Sequence, residues 1–538
     1  MTLLGIVGRD KQIIQFMVKY EETPLNCYED GIITICTDAP LIANDDEVVV
    51  VDGEMLSPMH TSALTQGSME STLLNTLDVL VVKWRKYSKE LWLASDLFAL
   101  RQLYYTVYEG NLIFSSNLES LIKALNIKKI DEENLKSYIL YGFVPPPYTL
   151  FSKVFKLLPA ELLYFNFEKS KVISSRYYSL NIQARTNIKL AEALSIVKTA
   201  VEEATRQAIF KRKAKYAILL SGGLDSPTIA AVARRYTQNI VAITLLNTGE
   251  GDIARRVSDY LNLPLIEVYV TEDEFLKALE PSFKCLQEPL AGIDIVPSTF
   301  LLLKQAKELG ADVILTGDGG DKAFFGFPWV FKDEFKYTIL KFFPKWCSIT
   351  LKNLCKIARQ YLPILHENIS HLALENALSR RLNEDESFKH DEPIVRWYRK
   401  SYDTAAFDPH GVRRVKDIAH KFRLKTAHPF LNRNFIENLY LIPAKFKQPT
   451  IHETKYILRL YLLHENLLPK EAILLKRKTG LASNIWFSQT LINEYLKILI
   501  ESGNPYVRLD FLKNAMKARD FYTLSALVGF SLWYKKYC

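Results

Sequence analysis

Leu219-Leu220-Ser221-Gly222-Gly223-Leu224-Asp225-Ser226 decides how this chain is read. The apolar run Tyr216-Ala217-Ile218-Leu219-Leu220 is strand-like, and Pro227-Thr228-Ile229-Ala230-Ala231-Val232 continues as a helix. At such a junction the first N–H groups of the helix have no partner within it, and the helix dipole favours negative charge. Gly222 and Gly223 let the main chain approach phosphate oxygens closely. Ser221 and Ser226 add hydroxyl donors, and Asp225 is placed to hold Mg²⁺ against the phosphates. No Lys follows the glycines, so this is not the GxxxxGK[ST] loop.

Strand-like and helix-like runs alternate outward from this loop. IKLAEALSIVKTAVEEATRQAI is amphipathic at helical spacing. NIVAITLL and LIEVYV read as strands around the helix DIARRVSDYLNL, and STFLLLKQAKELG precedes the strand ADVILT. Continuous rather than alternating apolar strands predict a parallel sheet covered on both faces. ADVILT opens into a second loop, Thr316-Gly317-Asp318-Gly319-Gly320-Asp321. By itself that pattern also reads as a calcium-type or plain turn. At the carboxyl end of a parallel strand beside the first loop, it reads as a second ligand loop carrying two carboxylates.

The first 185 residues read differently. LLGIVG, GIITICT, EVVVVDGEM, ELWLASD, LRQLYYTVY, NLIFSS and AELLYFNF are short apolar runs broken by Gly, Asn, Asp and charges, as in a layered antiparallel domain. Glu109-Gly110-Asn111 predicts a tight hairpin. Helical spacing is expected near 60–87 and in DEENLKSYILYG, which stops at Gly142 ahead of Pro145-Pro146-Pro147. Residues 330–425 and the tail, ending LSALVGFSLWYKKYC, read as helical.

With 538 residues, 48% hydrophobic and 24% charged, the chain can bury two or three cores, which excludes wholesale disorder and a disulfide scaffold. Sixty-nine Lys and Arg against 60 Asp and Glu give a net charge of +9. Without clustered basic tails or Cys/His spacing, that surplus suits a polyanionic small ligand better than nucleic acid. The six Cys form no CxxC pair, and all are read as reduced thiols. No run reaches about 18 apolar residues, and MTLLGIVGRD turns polar at once, so a cytoplasmic protein without membrane contact is expected.

The two loops together resemble those of the asparagine synthetase family, which includes β-lactam synthetases and lasso-peptide cyclases. SGGLDS is similar to the family's pyrophosphate loop and TGDGGD to its SGEGxDE element. Gln287-Glu288-Pro289 resembles DEP, and His428-Pro429-Phe430-Leu431-Asn432 resembles R-x-P-F-L-D. Lys455-Tyr456-Ile457-Leu458-Arg459, Leu467-Leu468-Pro469 and Lys476-Arg477-Lys478-Thr479-Gly480 follow the family's K-x-x-L-R, L-L-P and R-x-K-x-G. In the first half, Asp52-Gly53-Glu54 resembles N-G-E, and Ser95-Asp96 with Arg101-Gln102-Leu103-Tyr104-Tyr105 resembles R-D-x-x-G-x-R-P-L-Y-Y.

The resemblance implies an α/β chain in two parts. Residues 1–185 would be a degenerate glutamine-amidotransferase-like, Ntn-hydrolase-type αββα domain. Residues 186–538 would be a pyrophosphate-loop ATPase of the adenine nucleotide alpha hydrolase-like type, with a lid or insert at 330–425. ATP and Mg²⁺ are the implied cofactors. Ser221, Gly222, Gly223, Asp225, Ser226 and Thr316 would hold the phosphates, with Leu219, Leu245 and Gly317 lining the adenine site. Asp225 and Asp321 would hold the metal. Asp318 and Glu288 would meet the incoming amine, a role that a raised Asp318 pKa would suit, and Lys478 would stabilise the tetrahedral intermediate.

The departures also carry meaning. Thr2 stands where family glutaminases have their nucleophilic Cys, no clamping Arg occurs in Thr37–Val51, and Asp52 replaces the Asn of N-G-E. Ala427, Asn432, Lys322 and Asp318 replace Arg, Asp, Glu and Glu. The expected activity is an AMP-forming amide ligase using a non-glutamine amine, as in lactam or peptide cyclisation, on a peptide or amino-acid carboxylate. A homodimer or a partner maturation protein is compatible with that reading. An ammonia-dependent asparagine synthetase and a catalytically silent or RNA-modifying relative are the alternatives.

Overall fold

The computed structural model describes residues 2–8, 11–21, 23–54, 69–74, 76–180, 184–185, 187–209, 214–246, 251–326, 409–450, 452–475, 488–506 and 521–537. Its first part stacks two antiparallel sheets. One runs, in spatial order, Phe155–Lys156, Tyr104–Tyr108, Asn111–Ser115, Leu3–Val7, Ile33–Thr37, Asn26–Glu29. The other runs Lys171–Arg176, Glu161–Asn166, Glu90–Ser95, Leu77–Arg85, Glu47–Glu54, Leu41–Ala43. Leu3, Val7, Ile33 and Ile35 meet Val48, Val50, Leu80, Val82 and Trp84 between the sheets. Helices Lys11–Val18 and Leu118–Ala124 cover the first sheet's outer face, and Met69–Leu73 covers the second, giving four layers, αββα.

Local chemistry explains several of these elements. Glu109 and Gly110 take φ of 49° and 77° between the Tyr108↔Asn111 pair, the twist a two-residue hairpin needs. Helix Glu132–Tyr141 begins where the Asp131 side chain accepts the Asn134 N–H, and ends at Gly142 with φ 77°. The helical spacing expected near 60–87 is not what residues 77–85 form. They are a strand with Val79 and Val81 on one face and Leu80, Val82 and Trp84 on the other, buried on both sides, so no alternation marks it. The all-reduced reading of the cysteines is also corrected. Cys27 and Cys36 sit directly opposite on neighbouring antiparallel strands and are disulfide-bonded.

The second part is a parallel sheet in the order Leu265–Val268, Ile240–Leu245, Tyr216–Leu219, Val313–Leu315, Lys425–Ala427. Helices Leu190–Ala208, Asp225–Ala233, Arg433–Leu441 and Tyr456–His464 pack on one face. Glu272–Lys284, Ile295–Glu308, Arg414–Lys421 and Gln489–Glu501 pack on the other. Lys425–Ala427, at the end of the span read as an insert, is thus a strand of the central sheet. Residues 327–408 of that span lie outside the described residues.

Helix Phe521–Tyr537 joins the two parts. Phe530, Trp533 and Tyr537 enter the core of the antiparallel domain, while Leu524, Leu527, Val528 and Leu532 enter the core under the parallel sheet. Gly529 lets the helix come within van der Waals reach of the chain at Leu290, whose carbonyl oxygen would lie 2.4 Å from an added Cβ. Among the described residues no helix is long and apolar enough to cross a membrane.

Candidate active site

Both glycine loops leave the carboxyl edge of the parallel sheet from adjacent strands, paired through Tyr216↔Val313 and Ile218↔Leu315. Between these two strands the winding of the sheet reverses, which in open α/β sheets creates a ligand crevice. In the first loop the Ser221 N–H donates to Ser226 Oγ at 2.9 Å, the two hydroxyl oxygens stand 3.1 Å apart, and the Gly223 N–H donates to Ser221 Oγ at 3.2 Å. Asp225 opens helix Asp225–Ala233. Leu219 and Leu245 end neighbouring strands on the same edge.

The second loop presses against the first, main chain to main chain. A Cβ at Gly317 would lie 2.6 Å from the Ser226 amide nitrogen, and one at Gly320 would lie 2.5 Å from the Asp225 carboxyl. Gly319, at φ +94°, turns the chain between them. Ser221, Gly222, Gly223, Asp225, Ser226, Thr316, Gly317 and Asp321 are therefore brought together on the two touching loops.

Lys455 is the residue that sequence reasoning left without a role. Its Nζ lies 2.6 Å from Asp321 Oδ1 and also donates to Asp225 Oδ2, so one ammonium joins the two loops. The side chain is buried, and Lys455 itself takes φ 55° at the start of helix Tyr456–His464. Only its place in K-x-x-L-R singled it out, and nothing in its spacing shows that it folds back to residue 225.

The donor set suits Mg²⁺. Two carboxylates brought to one point beside two serine hydroxyls are hard oxygen donors, and among the described residues no group of three His, Cys, Asp or Glu forms a self-sufficient metal site. Mg²⁺ is commonly held by one or two carboxylates with phosphate oxygens completing the shell.

Asp318 differs from expectation. Burial pushes its pKa up, but His428 and, further off, Arg414 outweigh burial and hold it below the ordinary carboxylate range. His428 Nδ1 is 3.5 Å from Asp318 Oδ2 and 2.8 Å from Thr316 Oγ1, so its ring is part of this site, while its carbonyl accepts the Leu431 N–H in the turn that follows. Glu288 stands in the domain interface, with Lys156 Nζ at 2.6 Å and the Tyr104 hydroxyl at 3.2 Å. Those partners belong to the antiparallel domain, not to either glycine loop. Asn432 caps helix Arg433–Leu441, accepting the Phe435 N–H and donating to Gln207. Lys478 lies outside the described residues.

In the antiparallel domain, Thr2 is enclosed by acids. Its N–H donates to Asp38 Oδ1 at 2.6 Å, and its hydroxyl to Glu21 Oε2 at 3.4 Å. Asp52 is taken up by Arg101 at 2.9 Å, and Arg101 reaches Asp78, which also binds Lys416 of the second part at 2.5 Å. Despite burial, Arg101 and Lys416 pull the Asp78 pKa down to about 2.

The family described as "Asparagine synthase" matches residues 197–535, and that described as "Glutamine amidotransferase domain" matches residues 67–178. Asparagine synthetase [glutamine-hydrolyzing] 1 of Bacillus subtilis (strain 168) is 27% identical over 251 residues, 45% of this chain and 38% of that protein. A putative asparagine synthetase of Mycobacterium bovis is 25% identical over 272 residues, 49% of this chain and 41% of its own. A second, from Methanocaldococcus jannaschii, is 26% identical over 249 residues, covering 44% and 47%. The matched stretch thus spans less than half the length of each of these relatives. With its two glycine loops and the parallel sheet beneath them inside the matched span, the chain belongs to the asparagine synthase family.

Proposed function

We propose that this chain is an ATP-dependent carbon–nitrogen ligase that forms an acyl-adenylate and passes the acyl group to an amine other than glutamine-derived ammonia. The observation that carries the reading is the main-chain contact of the two glycine loops, which brings Asp225, Asp321 and Lys455 to one point at the carboxyl edge of the sheet.

The first loop's N–H groups and the hydroxyls of Ser221 and Ser226 would bind the β- and γ-phosphates, and Leu219, Leu245 and Gly317 would bound the adenine side. Asp225 and Asp321 would hold Mg²⁺, which supplies charge neutralisation of the leaving pyrophosphate. A carboxylate oxygen held in line attacks the α-phosphorus and pyrophosphate leaves, a step governed by positioning and electrostatics. The amine then attacks the carbonyl carbon, and AMP departs. Asp318, held ionised beside His428, is the acceptor for the amine proton, and Lys478 is the cation proposed for the tetrahedral intermediate. Glu288, engaged by Lys156, supports the domain interface in this reading.

The proposed nitrogen source rests on the surroundings of Thr2. Asp38 and Glu21 engage its N–H and hydroxyl, and Arg101 is committed to Asp52 and Asp78 rather than to a glutamine carboxylate. Because the relatives are asparagine synthetases by name, aspartate with free ammonia is the first pair to assay, and peptides carrying both carboxylate and amine are the second. AMP and pyrophosphate formation with ATP, Mg²⁺ and each candidate is the test. Carboxylate-dependent AMP with ammonium but not with glutamine is expected. Absence of AMP with every carboxylate would overturn the ligase reading, and equal rates with glutamine would overturn the nitrogen assignment.

A further inference from the structure

The Lys455 ammonium occupies the point between the two carboxylates that suit a divalent cation. It donates to Asp225 Oδ2 and stands 2.6 Å from Asp321 Oδ1, with its side chain 3% exposed. Closure on the far side is tight: a Cβ at Gly326 would lie 2.1 Å from Asp321 Oδ1 and 2.6 Å from Lys455 Cε. The site therefore already contains one positive charge, supplied by the chain. That charge uses carboxylate lone pairs a divalent ion needs, and repels a second cation entering between the same oxygens.

We infer that Lys455 is a built-in counter-cation that keeps divalent metal out of the nucleotide-free site. A polyphosphate bound on the first loop offers the ammonium anionic oxygens, and the four-carbon stem of lysine is flexible enough to follow them. Lys455 then leaves the two carboxylates to the metal, so that metal and nucleotide enter together rather than metal first. The inference rests on the reading of the two glycine loops as a nucleotide site, and adds to it an order of binding.

Mn²⁺ titration of the full chain without nucleotide, read by electron paramagnetic resonance, tests this. Lys455→Met should bind Mn²⁺ at least about tenfold more tightly than wild type, and Lys455→Arg, which keeps the charge, should stay as weak as wild type. Equal affinity in wild type and Lys455→Met overturns the inference. A wild-type measurement decides the matter even if Lys455→Met fails to fold. In equilibrium dialysis, inorganic pyrophosphate should raise protein-bound Mn²⁺ by about tenfold over protein alone, after the Mn²⁺–pyrophosphate complex is subtracted. No rise overturns the inference. Neither measurement involves turnover: an inactive chain with these affinities refutes only the ligase reading, and an active one without them refutes only the role given to Lys455.

Discussion

Gly317→Ala tests whether the contact between the two loops makes the site. The added methyl carbon would lie 2.6 Å from the Ser226 amide nitrogen and 2.8 Å from both the carbonyl carbon and Cβ of Asp225, where ordinary contact begins at 3.4 Å. None of these atoms is the free end of a side chain, so relief requires the loops to part by about 0.6–0.8 Å, given rigid packing beneath them. Overpacking of this kind costs about 1–3 kcal/mol of stability. Misplacement of reacting groups by about 1 Å costs on the order of 100-fold in rate. We expect carboxylate-dependent AMP formation to fall about 10- to 100-fold while the variant stays folded. Gly310→Ala is the matched control. Gly310 has φ +73° and no atom within 4 Å of an added Cβ, and it lies at the amino end of strand Val313–Leu315, away from the loops. It should lose about 1–2 kcal/mol of stability through backbone strain and keep its activity. A Gly317→Ala rate within about twofold of wild type, or a loss matched by Gly310→Ala, would refute the reasoning.

Three further outcomes follow from named groups. Asp225→Asn and Asp321→Asn should each lower AMP formation by at least about 100-fold with the melting temperature little changed, and near-normal turnover in either would displace the metal site. Thr2→Ala should leave ammonia-dependent amide formation intact, and a glutaminase activity abolished by that change would reverse the nitrogen assignment. Asp96 has its pKa raised to about 6, first by burial and then by the charge of Asp78, so the fold binds its proton more tightly than the unfolded chain. That contribution is complete below 3.8 and fades as pH rises through 6, by up to about 3 kcal/mol, whereas the opposite slope from Asp78 lies between about 2 and 3.8 and has largely ended by about pH 4.5. Asp96→Asn should flatten this fall in unfolding free energy between pH 4.5 and about 6.5, and parallel slopes in the two proteins would rule it out.

Sequence showed the site where the chemistry is local. A strand, two glycines, an acid and a helix start within eight residues can be seen in one line, because each is needed for its neighbour's geometry. The same holds for Glu109-Gly110 and for Gly142, whose positive φ values are consequences of single residues. What depends on long-range return was not legible. Lys455 lies 230 residues from Asp225 and 134 from Asp321, and it bridges them only because helix Tyr456–His464 packs on the face of the sheet that also carries Asp225–Ala233. His428 reaches Asp318 because Lys425–Ala427 is the fifth strand, too short to show a period.

The ionisation of Asp318 makes the same point in energetic terms. Sequence reasoning does not show the burial of Asp318, and burial alone raises a carboxylate. Nor could it foresee that His428, 3.5 Å from Asp318 Oδ2, and the charge of Arg414, both from the later chain, would reverse the sign. The reversal has a chemical cost: the carboxylate carries no proton of its own to lose, but it is a weaker base than a raised pKa would make it. Glu288 took the opposite course. Its place next to Pro289 resembles a catalytic element, yet Lys156 neutralises it from the other domain. The counter-charge of Glu288 thus comes from the antiparallel domain and that of Asp318 from the parallel-sheet part, and helix Phe521–Tyr537 contributes to the cores of both.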